Sequence, residues 1–274
     1  MGIREISVGG YSALALSGLI AGGAFAWKYL EDYREGLVSE DLAKPESESY
    51  FNLHVLLMYW LYLLPNALGA ISFRAFTFIE RDTAKLLHAL FNTIGFAASI
   101  AGFVIIYKHQ GAAYGEYGHF YSPHTYIGMI TLALYWFQWV AAVFLYFISW
   151  EKYLSSEDLM RMGKIKGAFI QSHRAIGYIC FVLIAVSCFF GFMTNYYYGF
   201  TKGDPNHDMN SIMPYMNQSM VPMFAGMMLL LAVILNTKYV RPKPKEVYKP
   251  QETATLKSVS PTKDNASAPP TSEF

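Results

Sequence analysis

The chain has 274 residues, 54% of them hydrophobic, 17% aromatic and only 15% charged, with a formal net charge of +1. Soluble domains carry about 25% charged residues, so a water-soluble globular enzyme is excluded. The near-neutral balance argues against a nucleic-acid partner.

Six apolar stretches are long enough to cross a hydrocarbon core of about 30 Å, each needing roughly 20 helical residues. They lie near 10–30, 51–77, 84–107, 122–149, 168–197 and 217–238. Aromatic clusters at several ends, such as Tyr50-Phe51 and Phe120-Tyr121, suit the membrane–water boundary. The expected fold is therefore an all-α membrane protein, one six-helix bundle over residues 1–240. Residues 241–274, rich in Pro, Ser, Thr and Lys, read as a disordered cytosolic tail. Cys180 and Cys188 fall in one apolar run at no zinc spacing and read as packing residues.

Lys and Arg set the orientation. Arg4, Arg74, Arg81, Lys85, Lys152, Arg161, Lys164, Lys166, Arg174, Arg241 and the tail lysines fall on one side; Lys28, Arg34, Lys44, Lys108 and Lys202 fall on the other. The positive-inside rule then places both termini in the cytosol. The sequon at Asn217 faces the outer side, and the one at Asn265 the cytosol.

Imidazole in hydrocarbon is costly without a partner. His54 and His124 lie early in spans two and four, near the outer face, whereas His88 and His173 lie early in spans three and five, near the inner face. Depth alone pairs His54 with His124 and His88 with His173. Zinc would want four ligands per site, with Cys or carboxylate among them, and none lies at these depths. Haem needs only axial protein ligands, and two histidines leave its iron no open position, which favours electron transfer. With each pair one turn inside its face, the two irons would stand roughly 20 Å apart.

These residues resemble the cytochrome b561 family. The resemblance rests on Tyr33-Arg34-Glu35-Gly36-Leu37, Phe51-Asn52-Leu53-His54, Lys85-Leu86-Leu87-His88, Phe120-Tyr121-Ser122-Pro123-His124, and His173 followed by Gly177. It implies a homodimer with two b-type haems per chain inside the helix 2–5 core, cytosolic ascorbate as donor, and monodehydroascorbate or ferric iron as outer acceptor. The resemblance marks Arg74 and Lys85 as ascorbate-binding positions; Arg81, Lys164 and Lys166 join them on charge alone. Lys108-His109 resembles the family's basic element beside the outer haem. Val55 stands where many members have proline, Ser122-Pro123-His124-Thr125-Tyr126 differs from the usual outer-ligand motif, and Thr194-Asn195-Tyr196 replaces the usual end of span five. The arginine usual before the span-five histidine is missing at that spacing. Two other classes compete: a haem-free transporter or receptor using buried histidines for metal or protons, and a cytochrome subunit of a larger redox complex. The same residues serve a plasma-membrane or an endomembrane-vesicle protein equally.

Overall fold

A computed structural model describes residues 3–33, 37, 41–76, 79–115, 122–201 and 209–236. Among them the secondary structure is helical throughout. Helix α1 spans Ile3–Tyr33, α2 Glu48–Leu56, α3 Leu64–Ala75, α4 Arg81–Tyr114, α5 Pro123–Tyr146, α6 Ser156–Thr201 and α7 Met209–Asn236. A π-helical stretch, Leu57–Leu63, joins α2 to α3 in one continuous rod. Among the described residues six rods are long and apolar enough to cross a membrane: Val8–Asp32, Glu48–Ala75, Arg81–Ala113, Pro123–Tyr146, Ser156–Thr194 and Met216–Asn236. The protein is an integral, multi-pass membrane protein.

Local chemistry explains several boundaries. Ser47 caps α2 by accepting from the Tyr50 N–H at 3.1 Å, and Ser122 does the same for α5 with the Thr125 N–H. Pro123 follows at the first helical position, where its missing N–H costs nothing. Gly115 ends α4 at φ +68° and ψ −158°, a conformation that glycine adopts without a side-chain clash. The π stretch precedes Pro65, which has no N–H for the Leu61 carbonyl, and the ladder widens so that the Leu64 N–H reaches Tyr59 O.

Two helices outrun the apolar stretches expected near 84–107 and 168–197. Helix α4 runs to Tyr114, so Lys108 and His109 are helical and do not lie in a loop. Helix α6 begins at Ser156, so Lys164 and Lys166 also sit on a helix. Polar residues beyond the hydrocarbon do not stop a helix when no breaker intervenes.

Helices α1 and α7 close on each other through glycines. A Cβ at Gly22 would lie 2.7 Å from Ser219 O, and one at Gly226 would lie 2.6 Å from Ala15 O. Such small residues let backbones approach in a medium that offers no hydrophobic drive. Leu19 and Leu30 of α1, Met223 and Leu230 of α7, and Leu63 and Ile71 of the α2–α3 rod are fully buried. Large apolar side chains such as Leu86, Phe137, Val140 and Ile179 point outward, as a lipid-facing surface requires. Residues 1–240 form one compact unit. The tail at 241–274 lies outside the described residues, as do Arg34–Gly36, Phe120, Tyr121, His119 and His207.

Candidate cofactor sites

The four central rods, α2–α3, α4, α5 and α6, hold the four histidines in two groups. His54 faces His124, with ring centres 6.4 Å apart and planes at 81°. His88 faces His173 at 6.1 Å and 82°.

Each ring's second nitrogen decides what its first can do. The Nδ1–H of His54 donates to Gly102 O at 2.9 Å, that of His88 to Gly69 O at 2.9 Å, and that of His124 to Ser187 O at 2.8 Å. A carbonyl can only accept, so these rings carry their proton on Nδ1. Nε2 is left as a free lone pair able to bind a metal. Glycine makes room for two of these contacts. A Cβ at Gly191, one turn beyond Ser187, would lie 2.9 Å from the His124 ring. At Gly69 it would meet Asn92 Nδ2 at 2.6 Å, the amide that also donates to His88 O at 2.7 Å.

His173 differs. Its buried Nδ1 has no hydrogen-bond partner among the described residues. The nearby Gln138, only 6% exposed, instead donates its side-chain amide to the peptide carbonyl of His173 at 2.5 Å. Phe169, one turn earlier, lays its ring 5.5 Å from the imidazole.

The spacing tests which group these pairs suit. A metal–imidazole bond of about 2 Å, plus about 1.1 Å from nitrogen to ring centre, puts two axial rings about 6 Å apart. A direct ring-to-ring hydrogen bond of about 3 Å would draw the centres to about 5 Å. The observed 6.1 and 6.4 Å match the inserted metal and exceed the hydrogen bond. Among the described residues no three His, Cys, Asp or Glu side chains cluster as a metal site. Each pair therefore supplies two donors only, which suits a cofactor bringing its own equatorial ligands.

The charged residues divide between the two ends. Arg74, at the end of α3, donates to the Tyr178 hydroxyl at 3.2 Å. Arg81 opens α4, and Lys85 lies one turn on, paired with Asp82 at 2.7 Å with its side chain 55% exposed. Lys166 stands 5.9 Å over the Tyr146 ring, and Lys164 is exposed on the same helix. At the other end Lys108 is exposed. His109 is buried, its Nδ1–H donating to Pro45 O at 2.7 Å. Its ring lies 5.5 Å from Phe51, which in turn is 6.3 Å from His54.

Gln138, Tyr178, Asn92 and the three acceptor carbonyls complete the sites, and the sequence reading gave them no role. An amide in an apolar span was the available signal for Gln138. A carbonyl has none, because every residue owns one.

A helical membrane bundle with paired imidazoles at two depths is the architecture of a transmembrane oxidoreductase. Residues 53–199, which include all four histidines, match the eukaryotic cytochrome b561 family, and the chain belongs to it. Over 183 residues it is 25% identical to transmembrane ascorbate ferrireductase 1 of Arabidopsis thaliana, covering 67% of this chain and 69% of that protein. It is 27% identical over 137 residues to ascorbate-specific transmembrane electron transporter 1 of Zea mays, covering 50% of this chain and 55% of the relative. With the transmembrane ascorbate-dependent reductase CYB561 of Bos taurus it shares 30% identity over 117 residues, 43% of either protein. The family implies b-type haem, and the imidazole spacing and free Nε2 atoms fit that group.

Proposed function

We propose that this protein carries electrons one at a time from cytosolic ascorbate, across the membrane, to monodehydroascorbate or ferric iron on the far side. The observation that carries this reading is the presence of two imidazole pairs, each at bis-axial spacing, at opposite ends of one bundle. The names of the relatives, an ascorbate ferrireductase and an ascorbate-specific electron transporter, support the donor and acceptor classes.

Two b-type haems would supply a one-electron couple at each face. His88 and His173 would hold the inner one, and His54 and His124 the outer. A haem held by two imidazoles would have no ligand position left for oxygen, and would supply one-electron transfer only. Gly102 follows His88 on α4 by about fourteen residues, so the two sites are separated by roughly 21 Å along that helix.

Arg74, Arg81 and Lys85 gather positive charge at the His88 end and would dock the ascorbate monoanion. The monoanion gives up one electron and one proton and leaves as the monodehydroascorbate radical. Lys108 and His109 stand at the other end beside the acceptor. There one electron turns ferric into ferrous iron, or with one proton returns the radical to ascorbate. The preponderance of Lys and Arg at the His88 end supports a cytosolic position for that end and for both termini. A homodimer is the expected assembly.

The test is a visible spectrum of the purified protein before and after ascorbate, with haem counted per chain. Two low-spin b haems reduced by ascorbate are expected. A protein without haem overturns the reading, and two haems that only a stronger reductant reduces overturn the donor.

A further inference from the structure

One hydrogen bond ties the end of α3 to α6 across the bundle. The Arg74 guanidinium donates to the Tyr178 hydroxyl at 3.2 Å. Both partners stand beside the His88–His173 pair. Phe73, next to Arg74, lays its ring 5.3 Å from His88, and Tyr178 lies five residues beyond His173 on α6. The phenol accepts from the arginine, so its own hydrogen remains available, and it meets no acceptor among the described residues.

A second guanidinium belongs to this contact. Arg174 directly follows His173 and sits one turn before Tyr178, so the two share a face of α6. Helical side chains lean toward the start of their own helix. Helix α6 begins at this end of the bundle, whereas α3 ends there. Arg174 therefore leans out toward the opening, and Arg74 leans back into the bundle, where it finds Tyr178. Other cations at this end have partners: Lys85 pairs with Asp82, Arg161 pairs with Glu157, and Lys166 stands over the Tyr146 ring. Arg174 is exposed and has neither a hydrogen bond nor an ion pair among the described residues. The three groups present donors only: two guanidinium forks and one phenolic hydrogen.

We infer that Arg174, Tyr178 and Arg74 form the docking site for the electron donor, between α3 and α6, and that it takes a planar anion with two adjacent oxygens. Ascorbate presents such an edge in its enediolate. The Arg174 fork matches two neighbouring oxygens, and the Tyr178 hydroxyl donates to one of them. Arg74 holds that hydroxyl in place and adds charge. The inference rests on the ascorbate reading above. It moves the centre of binding away from the start of α4, where Arg81 and Lys85 stand.

Holoprotein reduced with dithionite, and freed of excess reductant under nitrogen, can bind ascorbate without taking an electron from it. Equilibrium dialysis against labelled ascorbate then reads binding alone. Arg174→Gln should raise Kd about tenfold, the worth of one charge-assisted hydrogen bond, and Tyr178→Phe about fivefold. Arg161→Gln removes a paired charge from the same helix and should leave Kd unchanged. Haem content should stay at the wild-type value in all three. In reduction kinetics both site variants should raise the half-saturating ascorbate concentration and leave the saturating rate unaltered, a split that a fold defect would not give. An unchanged Kd in Arg174→Gln overturns the site. So does equal weakening by Arg161→Gln, the sign of a diffuse field. Should Arg174→Gln lose its haem, Tyr178→Phe keeps the shape without the hydroxyl and decides the question by itself, an unchanged Kd overturning the site. Wild-type protein that neither binds ascorbate nor is reduced by it would overturn the donor reading instead.

Discussion

Glycine works in opposite ways in two parts of the bundle. Between α1 and α7, Gly18, Gly22 and Gly226 bring backbone against backbone: a Cβ at any of them would lie within 2.7 Å of a carbonyl oxygen. Around the histidines, Gly191 brings backbone against a ring. The first arrangement closes a seam and leaves no space in it. The second holds helices apart at a distance set by imidazole. Leaving out a side chain thus serves cohesion in one region and the geometry of the histidine sites in the other.

The comparison breaks most completely at the ligands. His88→Ala should remove one of two haems and abolish reduction by ascorbate, while His54→Ala should leave the inner site reducible and stop delivery beyond it; haem counting with stopped-flow reduction distinguishes them. Next in size is Gly191→Val, which drives a branched side chain into the His124 ring. It should lower the haem content to about one per chain without altering helix content by circular dichroism. Gly22→Val should do the converse, costing about 1–3 kcal/mol of stability through overpacking and lowering the melting temperature while both haems remain. Equal haem loss in both glycine variants would refute the division of labour. Lys85→Ala should have the smallest effect. Its exposed ammonium already pairs with Asp82, so the ascorbate concentration for half-maximal reduction should rise by about fivefold at most.

A spectroscopic prediction sharpens the likeness between the two sites. Both ring pairs stand nearly perpendicular, at 81° and 82°. On a haem held by either pair, imidazoles crossed in this way would leave the two d orbitals that they address close in energy. The oxidised protein should therefore give strongly anisotropic low-spin signals from both sites in electron paramagnetic resonance. A spectrum typical of parallel rings would contradict the observed planes.

The features legible in the sequence were those that lipid makes expensive to misplace. Six apolar stretches announce themselves because no shorter run crosses a bilayer, and six such rods stand among the described residues. Four histidines stand out because hydrocarbon punishes an unpartnered imidazole. Helix ends were less visible: α4 carries on through Lys108 and His109 because nothing there breaks its ladder before Gly115. The burial of His109 beneath Pro45 was hidden as well, since a tertiary contact to a carbonyl leaves no mark on composition. The asymmetry at His173 needed side-chain positions, because Gln138 could have pointed either at the ring or past it.

The π stretch between Leu57 and Leu63 has a consequence for bearing as well as for length. Each residue of an α-helix turns the chain by about 100°. The separation from His54 to Gly69 is fifteen residues, against fourteen from His88 to Gly102 on α4 and from His173 to Ser187 on α6. In an unbroken α-helix that additional residue would swing the Gly69 carbonyl about a quarter-turn out of line. The wider turn absorbs it, as a leap day keeps a calendar in step with the season. A one-residue deletion within 57–63 should therefore straighten the rod into ordinary helix and leave the two ends in register. The same deletion between Asn66 and Gly69 would turn Gly69 away from His88.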